Sequence, residues 1–226
     1  IASKSGDIIL DFFSGSSATA HAVMQLNAED GGKRKYIMVQ LPEETPEDSE
    51  ARKAGYNTIP EIAKERIRRA GKKIKEESPL TTQNLDTGFR VIRLADSNFE
   101  EVKKSPAEYD QSQLDLFLNN VKSDRTDLDL LFGAMLSWGV QLSLPMTSEE
   151  VDGKMIYSVN DGDLVACFAD DITENIVKAM ADKHPLRVLF RDSCFSRDDA
   201  KINVFESLKQ QLDWSEEEAM KNIKVI

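Results

Sequence analysis

The chain has 226 residues, with 40 acidic against 29 basic side chains and a formal net charge of −11. At 40% hydrophobic and 31% charged it is composed like a globular chain, which excludes wholesale disorder and collagen. No stretch nears the ~20 uninterrupted apolar residues that span a bilayer, and the acidic surplus argues against the chain alone gripping nucleic acid tightly. The start, Ile1-Ala2-Ser3-Lys4-Ser5-Gly6-Asp7, has neither a signal-peptide apolar core nor an initiator Met, so a fragment is expected. Cys167 and Cys194 read as reduced thiols of a cytoplasmic protein. His21 and His184 stand far apart and no CxxC occurs, so no metal site is expected.

In chain order, Ile8-Ile9-Leu10-Asp11-Phe12-Phe13 reads as a strand buried on both faces. Ser14 to Ser17 forms a small-residue turn. A helix follows from about Ala18 to Leu26, its apolar face drawn by Ala18, Ala22, Val23 and Leu26. Asn27 to Gly32 ends it, and Lys35 to Gln40 is a second buried strand. Pro42 to Asn57 reads as a surface loop. Pro60 to Glu77 reads as a helix with the stripe Ile59, Ile62, Ala63, Ile67, Ala70 and Ile74. Phe89 to Leu94 is a third strand candidate, its alternating character that of a sheet edge. Two strands joined through a helix imply a right-handed crossover and a parallel sheet.

Residues 96–127 read as an acidic connecting region with one helix near Leu114, Phe117 and Leu118. A second pattern covers 128–226. It comprises a helix from Leu128 into Trp138, a hairpin of Lys154–Val159 and Asp163–Phe168 about Asn160-Asp161-Gly162, and a helix from Thr173 to Lys183. A strand from Leu186 to Phe190, a helix from Ala200 to Leu212 and a closing run from Ile223 to Ile226 complete it. The expected fold class is α/β: a partial Rossmann-like parallel sheet over 1–95, plus a second small α/β domain.

The chemistry centres on Asp11-Phe12-Phe13-Ser14-Gly15-Ser16-Ser17-Ala18-Thr19. A strand entering a small-residue loop and then a helix presents backbone N–H groups at the positive helix end, on the sheet edge where open α/β sheets bind ligands. A dinucleotide fingerprint needs three glycines. Aligned on Gly15, Phe13 and Ala18 occupy the outer two positions. A P-loop needs Lys at the helix start, and Gly31-Gly32-Lys33 precedes a strand instead. Two readings stay open: the F-x-G-x-G loop of S-adenosylmethionine-dependent methyltransferases, with Ser17 at the last glycine, and an ordinary βα turn without a ligand.

The run DFFSGSSATAHAVMQLNAEDGGKRKYIMVQ, Asp11 to Gln40, resembles the cofactor region of adenine-specific DNA methyltransferases, above all the methylation (Mod) subunits of type III restriction–modification systems. FRDSCFSRDDAKINVFESLKQ, Phe190 to Gln210, resembles the C-terminal region of those subunits. The resemblance implies a cofactor, S-adenosylmethionine, with Asp11 near its amino group and Phe13 lining the pocket. It implies a backbone passing close beneath the ligand at Gly15, Ser16 and Ser17, and Thr19 bonding the carboxylate. Gln40 stands where an acidic residue usually meets the ribose hydroxyls, with Glu43 and Glu44 nearby. The family's (Asp/Asn/Ser)-Pro-Pro-aromatic loop, which holds the flipped adenine, is missing, since no two of the seven prolines are adjacent. The resemblance thus implies the C-terminal part of a longer adenine-N6 methylating subunit that contacts DNA as a whole. Self-association is expected because half a parallel sheet leaves faces and edges unpaired. The alternative is an interaction module, in which 128–226 docks another methylation subunit or the restriction subunit.

Two lesser features have two readings each. The helix with Lys64, Arg66, Arg68, Arg69, Lys72, Lys73 and Lys75 either faces DNA phosphates or is a solvated face paired with Glu61, Glu65, Glu76 and Glu77. Arg191-Asp192 and Arg197-Asp198-Asp199 suggest either a magnesium-dependent nuclease or a helix start. His21, Trp138 and Trp214 read as packing residues.

Overall fold

The computed structural model describes residues 3–100, 120–195 and 198–226, apart from the Asp198 side chain. The helix expected near Leu114 to Leu118 lies outside the described residues. The chain divides into two compact units, Ile1–Val91 and Ile92–Ile226.

In the first unit β1 (Ile8–Asp11) runs parallel to β2 (Lys35–Met38), in register from Ile8 opposite Lys35 to Asp11 opposite Met38. The connection is α1 (Ala18–Asp30). Gly31, with φ 67°, ends α1 in the left-handed conformation, so the Gly31-Gly32 pair serves as a helix stop. Arg34 then ties the helix end to β2 by hydrogen bonds to Asn27 Oδ1 and both Asp30 carboxylate oxygens. After the short α2 (Glu50–Lys53), α3 (Ile59–Glu77) opens on a capping box. Glu61 accepts from the N–H of Thr58 at 3.1 Å. Ala20 and Met24 of α1 pack on Ile67, Ala70 and Ile74 of α3, with Tyr36 and Met38 of β2 against them. Burial pushes the Tyr36 phenol up to about 12.

Three expectations for this unit change. The strands are covered on one face only. The other presents Ile8, Leu10, Phe12, Ile37, Val39 and Leu41 to solvent, Leu10 at 58% exposure. Both helices pack on one side of the strands, and no described element covers the other. The buried stripe of α1 is Ala20, Val23, Met24 and Asn27, while Ala18 and Ala22 are exposed. A helix this rich in alanine has apolar atoms all round, so its pattern does not fix its orientation. Phe89 to Leu94 forms no strand. Phe89 packs into the α1–α3 core and lies under the Arg68 guanidinium (5.6 Å), whereas Val91, Ile92 and Leu94 are exposed and have no ladder partner among the described residues.

The second unit is a three-layer sandwich. Its sheet has the order β3-β4-β5-β6-β7, namely Met146–Val151, Lys154–Val159, Leu164–Cys167, Val188–Phe190 and Ile223–Val225. The first three strands are antiparallel and the last three parallel. Every residue of β5 and β6 is buried. The expected hairpin is present, turning through Asn160, Asp161 and Gly162, all with positive φ. On one face α4 (Asp127–Ser137) contributes Leu130, Leu131, Ala134 and Met135. The other face is covered by α5 (Glu174–Ala181), α6 (Asp198–Gln211) and α7 (Glu216–Asn222), through Ile176, Met180, Leu208 and Ala219. Trp138 and Trp214 border these two cores, the first under the Arg187 guanidinium at 5.9 Å.

Strand β3 and helix α7 were not anticipated. β3 reads Met-Thr-Ser-Glu-Glu-Val and its four middle residues are exposed, as an edge strand permits. α7 carries a capping box, Ser215 with Glu218, ahead of an almost wholly polar turn. Both cysteines are buried free thiols, and burial pushes Cys194 up to about 12. No described helix is long and apolar enough to cross a membrane.

Candidate functional site: the loop after the first strand

The loop between β1 and α1 lies at the carboxyl end of both parallel strands. Asp11 closes β1 with both carboxylate oxygens engaged. Oδ2 accepts from the Thr19 hydroxyl at 2.6 Å, and Oδ1 accepts from the Phe13 N–H at 3.3 Å. The first bond reaches across the loop into the opening turn of α1, so the carboxylate is fixed from two sides. Thr19 therefore spends its proton on Asp11 and positions that carboxylate; toward an anionic ligand group it has no proton left to donate.

Gln40, just past β2, reaches back to the loop, its Oε1 accepting from the Gly15 N–H at 2.8 Å. Ser14 N–H donates to Val39 carbonyl at 3.1 Å. The loop is thus pinned to the second strand by one backbone and one side-chain bond. Gln40 is an acceptor toward the loop, and its amide N–H groups remain for another partner.

Gly15 has φ 50°, and a Cβ built there meets nothing within 4 Å. Its requirement for glycine is conformational, and the space above it is open to a ligand. Ser17 adopts φ 57° without glycine's freedom, as the left-handed N-cap of α1. The serine thus stands in a backbone conformation that favours glycine. Ser16 accepts a hydrogen bond from Arg66 of α3 at 2.9 Å. Phe13 is 82% exposed and stacks obliquely on Phe12, centroids 5.1 Å apart. The buried Ser14 hydroxyl has no hydrogen-bond partner among the described residues. Asp11, Gly15, Ser16, Ser17, Thr19 and Gln40 come together as one constellation, and Phe13 stands beside it in the open.

This set suits S-adenosylmethionine. It offers a fixed carboxylate for an ammonium, an open glycine backbone beneath a ligand, a free carboxamide for hydroxyls and an exposed aromatic surface for a flat ring. Glu43 and Glu44, the alternative ribose partners, are both exposed, and Glu44 is paired with Arg52 at 3.1 Å. Among the described residues no group of three or more His, Cys, Asp and Glu could hold a metal ion. Asp192, part of the nuclease reading, is paired with Lys201 at 2.6 Å. Arg191 is paired with Asp170 at 2.8 Å, and Arg197 lies outside the described residues. Sequence reasoning missed the Gln40–Gly15 clamp and the Arg66–Ser16 bond, because both join residues far apart in the chain.

The architecture is mixed α/β with parallel-rich sheets and several helices, compatible with a methyltransferase-like α/β fold. The chain's homologues include Mod subunits of type III restriction–modification enzymes. It is 50% identical over 88 residues to the StyLTI Mod subunit of Salmonella typhimurium, covering 39% of this chain and 13% of the relative. To the EcoP15I Mod subunit of Escherichia coli it is 40% identical over 118 residues, 46% of this chain and 17% of the relative. To the EcoPI Mod subunit of Escherichia phage P1 it is 31% identical over 189 residues, 81% of this chain and 27% of the relative. The chain therefore spans about a quarter or less of the length of these curated relatives. No family model matches it.

Proposed function

We propose that this chain carries the S-adenosylmethionine-binding part of a site-specific DNA adenine-N6 methyltransferase. Catalysis then needs an adenine-holding loop supplied from elsewhere in a longer subunit. The observation that supports this best is the Asp11 carboxylate, locked by Thr19 and Phe13 beside a glycine whose open face lies toward any ligand. When bound, the cofactor supplies an electrophilic sulfonium methyl group. The chain's own residues bind and orient it. Asp11 takes the ammonium, the Gln40 amide donates toward the ribose, and the Gly15–Ser17 backbone sets how deeply the ligand sits.

A second reading draws on a different observation. The uncovered face of β1 and β2 and the separate sandwich of the second unit favour an assembly role, in which the chain docks a second methylation subunit or the restriction subunit. Calorimetric titration of the chain with S-adenosylmethionine, with Asp11→Ala as control, separates the two. Heat that vanishes in the variant supports the cofactor site. No heat at millimolar ligand refutes autonomous binding and leaves the assembly reading.

A further inference from the structure

We propose that the cleft between α1 and α3 is a second binding site, one that takes a phosphate oxyanion, and specifically a backbone phosphate of DNA. The DNA assignment rests on the methyltransferase reading; the oxyanion chemistry does not. The cleft has a volume of about 420 Å³ and is lined by Arg66, Arg69 and Lys73 of α3, by Ser16 of the loop and His21 of α1, and by Tyr56. The three cations stand three and four residues apart, so they form one ridge along the helix.

Helix α3 carries seven basic and four acidic residues, and the acids do not cancel the ridge. Glu61 is spent on the capping box. Glu65, the carboxylate at the cleft, is shared between Arg69 at 2.7 Å and Arg68 at 3.8 Å. Glu76 and Glu77 approach Lys72 and Lys73 only loosely, at 3.7 and 3.6 Å. Arg66 has no carboxylate partner among the described residues; its Nη1 donates to the Ser16 hydroxyl, and most of its donors are unspent.

The hydroxyls supply the second argument. Ser16 accepts from Arg66, and Tyr56 accepts from Arg69 Nη2 at 3.2 Å. Each hydroxyl's lone pair faces a guanidinium, so each proton is available to an incoming acceptor. Apart from Glu65, the polar lining therefore consists of donors, with His21 able to donate as well. This donor set, beside the apolar Ile62 and Ala70, suits a compact oxyanion. A solvated, self-paired helix face leaves Arg66 and the two hydroxyls unexplained.

The test measures binding of the full chain to a fluorescent DNA duplex by anisotropy, across a range of salt. Arg66→Gln with Arg69→Gln is compared with Lys64→Gln plus Lys75→Gln, which removes equal charge from the opposite flank of α3. The cleft pair is expected to lose at least about tenfold in affinity, and its salt slope to fall by about one, the value for one phosphate. The flank pair is expected to stay within about threefold of the unaltered chain. Equal losses in both pairs, or an unchanged slope, overturn the proposal. Should the cleft pair fail to fold by circular dichroism, Lys73→Glu alone applies the same test, its side chain being 67% exposed. Inorganic phosphate is titrated in parallel. Phosphate binding that disappears in the cleft pair, with duplex affinity intact, refutes DNA as the source. S-adenosylmethionine titration of the same pair reports separately on the cofactor reading.

Discussion

Replacing Gln40 by leucine tests how the cofactor loop is held. The substitution keeps the bulk of the side chain and removes the oxygen that accepts from the Gly15 N–H at 2.8 Å. That bond is part-buried and neutral, so its loss is expected to cost about 0.5–1.5 kcal/mol. If the loop must be closed to bind ligand, the same energy appears as an affinity for S-adenosylmethionine weakened about 2- to 12-fold. Gln40→Glu separates the two roles of this residue. It keeps an acceptor for Gly15, so the loop stays pinned, and it installs an acidic group toward the ribose position. The direct assay is amide hydrogen exchange at Gly15, read by nuclear magnetic resonance. The Gly15 amide is expected to be protected in the unaltered chain and in Gln40→Glu, and to exchange faster in Gln40→Leu. Equal exchange in all three refutes the clamp, whatever happens to ligand affinity.

Three further outcomes are expected. Ser17→Gly relieves a left-handed serine and should leave the urea midpoint unchanged or raise stability by up to about 1 kcal/mol, while Ser17→Val should lower it by more than about 1 kcal/mol; the reverse order would sink the conformational argument. Leu10→Lys, on the uncovered sheet face, should reduce self-association in sedimentation without lowering the unfolding midpoint, and an unaltered chain that stays monomeric at high concentration would count against that face as a contact. Cys194 is neutral in the fold well above its ordinary 9.0, up to about 12, so its contribution to stability is complete below about pH 9 and fades as pH rises toward 12. Alkylation at pH 8 should therefore modify Cys194 only after denaturation, and rapid labelling of the native chain would contradict the burial.

How far the sequence led depended on whether the signal was local. The order β1–loop–α1–β2 was legible because each element has its own punctuation, the small residues after Asp11 and the glycines after Asp30. The hairpin about Asn160-Asp161-Gly162 was legible because those residues tolerate positive φ, which the turn uses. β3 escaped because an edge strand with solvent on most of its side chains need not alternate. α7 escaped although Ser215 and Glu218 spell a helix start, since the turn after them offers little apolar pattern. At the site, the resemblance of the loop to methyltransferase cofactor loops pointed to Asp11, Gly15 and Ser17. What Thr19 and Gln40 do there is set by distances between residues 8 and 25 positions apart, which no spacing rule reports. The apolar runs Ile8–Phe13 and Lys35–Gln40 read as doubly buried. Apolar sequence states what burial a strand can reward, and what covers it is decided elsewhere.

The arrangement of the second sheet bears on how this unit comes to exist. β6 is completed on one side by β5 and on the other by β7, which occupies residues 223–225. Beyond it, the Ile226 N–H donates to the Phe190 carbonyl, and the Ile226 carbonyl accepts from the Asp192 N–H. Synthesis runs from β3 toward β7, so the antiparallel hairpins can close early while β6 waits with an open edge for β7 to emerge. During that interval a fully apolar strand is exposed to wrong partners. Residues 223–226 thus act as a latch on β6, and deleting them leaves that edge of the sheet open.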